Sequence, residues 1–203
     1  MTDYFSLLDE PRRPWLDAGR LRQKFLGLAA EFHPDRTHNA AEAEKAAAHR
    51  HYAELNAAYN CLAEPKSRLL HLLELERGGK PPDIQTIPPA LADLFAGIAD
   101  ICREADAFMV ERDKVSSPLL KIQWFERAHE WIERLNSWQK KLGDLRGELT
   151  ARLESLDAEW LRAENSPPQK APILPKLEEL YRFFGYFNRW QNQLQERVVR
   201  LSF

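Results

Sequence analysis

Cysteine is nearly absent from this chain: Cys61 and Cys102 are the only two among 203 residues. They fall on different helical stretches and neither has a partner at C-x-x-C spacing, so a disulfide or a thiolate zinc site has no support. The histidines are scattered, and His49 and His51, two apart, point to different sides of a helix, a poor ligand arrangement. There is no glycine-rich phosphate loop, no paired-carboxylate signature, no metal-ligand spacing and no strand-type alternation. An enzyme is therefore not expected, and no cofactor or metal is implied. Charge of one sign is also missing, since 29 basic residues against 31 acidic ones leave a net charge of −2. That balance argues against bulk nucleic-acid binding, which calls for a strongly basic domain or stripe. No apolar run is long enough to span a membrane, and Met1-Thr2-Asp3-Tyr4 has no basic-then-apolar leader. Neither secretion nor membrane insertion is indicated, and the expected location is the cytoplasm.

Apolar residues at helical spacing are abundant. With 44% hydrophobic and 30% charged residues, the chain can bury a proper core and is expected to hold two units. Leu21, Phe25, Leu28 and Phe32 fall at i, i+4, i+7 and i+11, which predicts a helix from about Asp17, its cap, to Phe32. Proline disfavours the α conformation in the residue before it, so Pro34 stops that helix at His33. Helical patterning resumes near Ala40, where Ala48, Tyr52, Leu55, Tyr59 and Leu62 mark one face. Two such stripes can face each other as an antiparallel hairpin. His33, Pro34, Asp35 and Arg36 would then stand at its tip, stiffened by the proline ring and free to offer a carboxylate and a guanidinium to a partner.

Residues Asp3 to about Arg77 resemble the J-domain of the HscB family of iron–sulfur co-chaperones. The opening Asp3-Tyr4-Phe5-Ser6-Leu7-Leu8 is similar to that family's, His33-Pro34-Asp35 sits at J-domain spacing behind it, and Leu55 to Arg68 matches the pattern N-x-A-Y-x-x-L-x-x-P-x-x-R. The resemblance implies that the loop docks on an ATP-bound DnaK- or HscA-type chaperone ATPase and triggers hydrolysis, with no catalysis in the J-domain itself. It assigns chaperone binding to His33, Pro34, Asp35 and Arg36, together with Arg20, Arg22 and Lys24 as the attracting cations. Gly27, Ala30 and Glu31 stand where related J-domains often carry Lys or Arg.

Gly78-Gly79-Lys80-Pro81-Pro82 and Pro88-Pro89 break any helix, which sets a linker at 78–89 between a J-domain at 1–77 and a helical domain at 90–203. In the latter, Leu91, Leu94, Ile98, Ile101, Ala105 and Phe108 step by threes and fours. The rhythm returns from Ile132 through Leu135, Leu142, Leu153 and Leu156 to Trp160, and again from Leu177 through Leu180, Phe184, Phe187 and Leu194 to Leu201. Breaks at Ser116-Ser117-Pro118 and from Ser166 to Pro175 separate the copies, so the expected fold is all-α, a J-domain followed by an elongated antiparallel three-helix bundle. The middle helix is the longest, and Gly143 and Gly147 are its expected weak points. Trp124, Trp131 and Trp138, seven apart, form a second stripe on it, expected to be core packing.

The HscB family also ends in a three-helix domain that binds the iron–sulfur scaffold IscU through its first and last helices. Here Leu94, Phe95 and Ile98 reproduce the spacing of an apolar trio on the first helix. Arg182-Phe183-Phe184-Gly185-Tyr186-Phe187 resembles the segment R-F-L-x-x-L, which puts Phe183 at a scaffold-contacting position. Phe95 and Phe183 lie beside their seams and would widen the apolar face. The resemblance thus implies an IscU-like client for iron–sulfur cluster assembly. The alternative is a J-domain protein or helical adaptor with a different client.

Overall fold

The computed structural model describes residues 2–32, 41–82, 87–115, 118–163 and 166–202, the side chains of 118–122 excepted. Every regular element among the described residues is helical: α1 (Tyr4–Leu7), α2 (Ala18–Glu31), α3 (Glu42–Ala63), α4 (Pro65–Arg77), a 3-10 turn (Pro89–Leu91), α5 (Ala92–Asp113), α6 (Pro118–Arg162), α7 (Pro167–Lys170) and α8 (Leu174–Ser202). The all-α expectation is borne out. Prolines fall where helices begin: Pro65 and Pro167 occupy the first turns of α4 and α7, where a missing N–H breaks no intrahelical bond.

Two compact units form, one from Met1–Pro82 with Thr150–Phe184, the other from Asp83–Leu149 with Gly185–Phe203. The change of unit at Pro82 falls within residues 78–89. Residues 90–203, expected to form one domain, are instead shared between the units.

The first unit is built from local signals. Asp3 caps α1, accepting the amides of Phe5 at 3.0 Å and Ser6 at 3.4 Å, and Asp17 caps α2 through the Arg20 amide at 2.7 Å. Phe25 stacks on Tyr59 with ring centroids 4.5 Å apart, and the Phe32 and His51 rings meet edge to face with centroids 4.2 Å apart. As the number rises along α2 it falls along α3, so the two helices pack antiparallel. Leu21, Leu55 and Leu62 are buried with Phe5, Leu8 and the leucines of α4, Leu69, Leu72 and Leu73. Glu64 caps α4 through the Ser67 amide at 2.8 Å, and Gly78, at φ 72°, ends it in the left-handed conformation that glycine adopts without a Cβ clash.

Polar contacts explain why residues 150–184 join this unit. Asp157, buried on α6, receives the Arg13 guanidinium and the Trp15 amide, and Trp160 donates its indole N–H to the Arg12 carbonyl at 2.9 Å. Arg68, itself buried, donates to the Pro14 carbonyl at 2.8 Å and the Leu62 carbonyl at 2.6 Å. Arg77, the last residue of α4, pairs with Glu178 of α8 at 2.5 Å, and Glu178 also holds Arg182. Backbone groups of the segment joining α1 to α2 thus find their partners on helices far along the chain.

In the second unit α5 packs antiparallel to α6, with Glu104 paired to Arg134 at 2.8 Å and the Phe108 ring 5.9 Å from that of Trp131. Arg197 of α8 ties back to α5 through Asp106 at 2.5 Å and the Cys102 carbonyl at 3.2 Å. The core is the predicted seam: Leu94, Ile98, Ile101, Ala105 and Phe108 against Leu135, Leu142 and Leu194. The tryptophan stripe is half-buried. Each indole carries a cation three residues on, with Arg127 over Trp124 at 4.5 Å, Arg134 over Trp131 at 3.9 Å and Lys141 over Trp138 at 4.7 Å.

Candidate functional site

His33, Pro34, Asp35 and Arg36 lie outside the described residues; their frame does not. Phe32 terminates α2, its amide donating to the Ala29 carbonyl at 3.3 Å, and its ring is held by His51 on α3. The two helices that flank the tripeptide therefore run alongside one another up to the residue that precedes it.

The three cations expected to attract a partner are not equivalent. Lys24 is drawn into the fold: its ammonium lies 3.1 Å from Glu10 and 3.4 Å from Asp9 and donates to the Asp9 carbonyl. Arg20 and Arg22 are exposed, and neither has an ion-pair partner among the described residues. At about 100° per residue they stand on opposite flanks of the packed stripe. Between them, the outward face of α2 carries Gln23, Leu26, Gly27 and Ala30, all exposed and uncharged, with Leu26 at 54%. Of the three expected cations on α2, only the two guanidinia near its N-terminus thus stand clear of ion pairs among the described residues.

Of the four residues expected to meet a client, Leu94 and Ile98 are buried in the second unit, whereas Phe95, 42% exposed, stands at its surface. Phe183 belongs to the first unit and is only 6% exposed. The expected widening of an exposed face does not occur there, because the buried stripe of α8 is itself wide: Leu177, Leu180, Phe183, Phe184, Phe187 and Trp190 are all inside. Sequence reasoning missed the neighbours of Phe95. Its ring centroid is 6.5 Å from that of Trp190, which lies 5.7 Å from Tyr186, and the Arg189 guanidinium stands 5.7 Å over Tyr186. The i, i+4 pair Tyr186 and Trp190 on the last helix was the available signal.

Neither cysteine offers a reactive thiolate. Burial, with Glu74 nearby, pushes the Cys61 thiol up to about 11, and burial raises that of Cys102 as well. Among the described residues no group of three or more His, Cys, Asp or Glu side chains is placed to hold a metal ion. No described helix is long and apolar enough to cross a membrane.

Over 73 residues the chain is 38% identical to a co-chaperone protein HscB homolog of Azoarcus sp. (strain BH72), a match that covers 36% of this chain and 41% of that protein. The chain thus spans about two fifths of the length of that curated relative. No protein-family model matches. The likeness of fold extends much further: the crystal structure of human co-chaperone protein HscB is matched over 96% of this chain and 81% of that one, with a TM-score of 0.56 and 21% identity. This chain has the HscB fold. Chaperone HscB from Vibrio cholerae gives the same result, covering 95% of this chain and 99% of its own, with a TM-score of 0.50 and 22% identity. The HscB resemblance read from Asp3 to Arg77 is borne out, in sequence over one segment and in fold over nearly the whole chain.

Proposed function

We propose that this protein is a cytoplasmic J-domain co-chaperone of iron–sulfur cluster assembly that stimulates the ATPase of a DnaK- or HscA-type chaperone and delivers an IscU-like scaffold to it. The observation that carries the reading is the antiparallel pair α2 and α3, locked by Phe25 on Tyr59 and Phe32 on His51, on either side of His33-Pro34-Asp35. Such a frame brings a packed helix pair up to the residue before the tripeptide, as a docking element requires. Asp35 and Arg36 supply charge-assisted hydrogen bonds to the ATPase, and Arg20 and Arg22 supply steering. With Lys24 engaged by Asp9 and Glu10, the electrostatic share of docking is modest, so stimulation falls only gently as salt rises.

On the client side, Phe95 is the exposed anchor, with Leu94 and Ile98 beneath it and Tyr186 beside Trp190 on α8. An aromatic anchor over a packed floor is the usual build of a hot spot. Phe183, buried in the first unit, offers a client no exposed ring. The deciding experiment is single-turnover ATP hydrolysis by the HscA-type and DnaK-type ATPases of the same cell, with wild-type protein and with Asp35→Asn. Stimulation by the wild type and its loss in the variant, at unchanged helix content, is the expected result. Normal stimulation by Asp35→Asn refutes the docking assignment. Calorimetry with the scaffold and Phe95→Ala separates the iron–sulfur client from any other, since a different client leaves wild-type scaffold binding undetectable.

A further inference from the structure

The exposed ring of Phe95 stands in neutral surroundings on its own helix. Ala92, Ala96 and Ala99, a turn or less away, are exposed as well and carry no charge. Of the carboxylates nearest to it on α5, Asp100 is held by Arg103 at 2.6 Å, and Asp93, two residues from Phe95, lies on a different side of the helix. On α8 the same patch acquires a charge. Arg189 is exposed and has no ion-pair partner among the described residues. One turn to either side of it stand Gly185, Tyr186, Asn192 and Gln193, all neutral, and from Gly185 to Ser202 the only acidic residue is Glu196, two turns on. The guanidinium lies 5.7 Å over the Tyr186 ring, Tyr186 lies 5.7 Å from Trp190, and Trp190 lies 6.5 Å from Phe95. Two rings thus join an unpaired cation to the exposed anchor, all within the second unit. A guanidinium held over a ring keeps its N–H fork available to a planar acceptor.

We infer that Arg189 is the specificity-determining residue of the client surface, and that the segment this surface fits is apolar and acidic: an aliphatic side chain seats on Phe95 while a nearby Asp or Glu pairs with the Arg189 guanidinium. The inference rests on the client-binding reading of this face and adds to it the sign of the partner's charge. A basic segment of the same shape would meet a like charge that no adjacent carboxylate offsets, and is rejected.

The test is calorimetry with the iron–sulfur scaffold of the same cell, at low and high salt, using wild type, Phe95→Ala, Arg189→Gln, Arg189→Lys and Lys114→Gln, with a thermal melt of each. Lys114, at the far end of α5 and paired with Glu111, loses the same charge away from the patch. The expected result is a dissociation constant raised about three- to thirtyfold in Arg189→Gln, the span between an exposed ion pair and a charge-assisted hydrogen bond. Its salt dependence becomes shallower than that of wild type, at an unchanged melting temperature. Arg189→Lys keeps the salt dependence and recovers part of the affinity, because the charge remains and the fork is lost. Lys114→Gln binds as wild type. An Arg189→Gln protein that binds as wild type while Phe95→Ala does not leaves the client reading standing and overturns the inference. An equal loss in Lys114→Gln overturns it as well. If the wild type does not bind the scaffold, the client reading itself fails and takes the inference with it.

Discussion

Asp157 accepts the Arg13 guanidinium through both carboxylate oxygens, Nε to Oδ1 at 3.0 Å and the second nitrogen to Oδ2, while the Trp15 amide reaches Oδ1 at 3.1 Å. A carboxylate only 3% exposed thus takes three donors from a segment more than 140 residues away in sequence. Replacing it by Asn keeps the shape but removes the charge and turns one acceptor into a donor facing a guanidinium. We expect Asp157→Asn to cost about 2–3 kcal/mol, the range of a broken charge-assisted contact, discounted because Arg13 keeps partial access to water. Urea unfolding followed by helix signal checks this. Adding Arg13→Gln should then cost less than the two single losses summed, and strict additivity would mean the pair is not coupled.

His71 makes the fold sensitive to acid. Its Nε2 accepts the Tyr4 amide at 3.0 Å, which only the neutral ring can do, and the ring is buried between Tyr4 and Phe5. Burial lowers its pKa, partly offset by the nearby carboxylates of Asp3 and Glu74. The unfolded chain therefore takes up the proton first. The contribution is complete above the ordinary histidine value of about 6.5 and is lost as pH falls from there through the folded value. Wild-type stability should decline across that interval, and His71→Gln should flatten the decline while lowering stability at neutral pH. A His71→Gln profile parallel to wild type would assign the acid sensitivity elsewhere.

The hairpin was legible because its signals are local. Asp3 and Asp17 cap their helices from one turn away, and Leu21, Phe25, Leu28 and Phe32 recur at a spacing that only a helix brings to one face. The seams of α5, α6 and α8 were legible for the same reason. What stayed hidden depends on partners remote in sequence. Asp157 and Glu178 look like solvated helix positions until Arg13 and Arg77 arrive, 144 and 101 residues distant, and with them goes the division into units. Lys24 looks like a free cation because nothing in its neighbourhood announces that Asp9 and Glu10 fold back onto it. The burial of Phe183 follows from how many neighbours surround α8, which spacing along one helix does not encode. The cation ladder was missed although its signal is local: Trp124 with Arg127, Trp131 with Arg134 and Trp138 with Lys141 repeat one i, i+3 pair at heptad intervals, and the stripe expected in the core is half-buried.

Glycines within the second unit's helices answer opposite ways to the same substitution. At Gly97 an added Cβ would lie 2.4 Å from the Trp138 ring, a contact no real Cβ tolerates, and the Lys141 ammonium also stands over that indole at 4.7 Å. The missing side chain is what lets α5 and α6 close on that tryptophan, so Gly97→Ala should destabilise by about 1–3 kcal/mol despite its better helix propensity. At Gly143 and Gly147 a Cβ would meet nothing within 4 Å, and α6 runs unbroken through both. The sequence marks these two as weak points, yet packing of Leu142 and Leu153 carries the helix across them. Alanine at either should therefore raise stability by about 0.4–1 kcal/mol, chiefly by restricting the unfolded chain. Thermal melts of the three single variants test the pair of claims together. A neutral Gly97→Ala would mean that the tryptophan can rotate away, and a destabilising Gly147→Ala would mean that the glycine is required for a bend in α6.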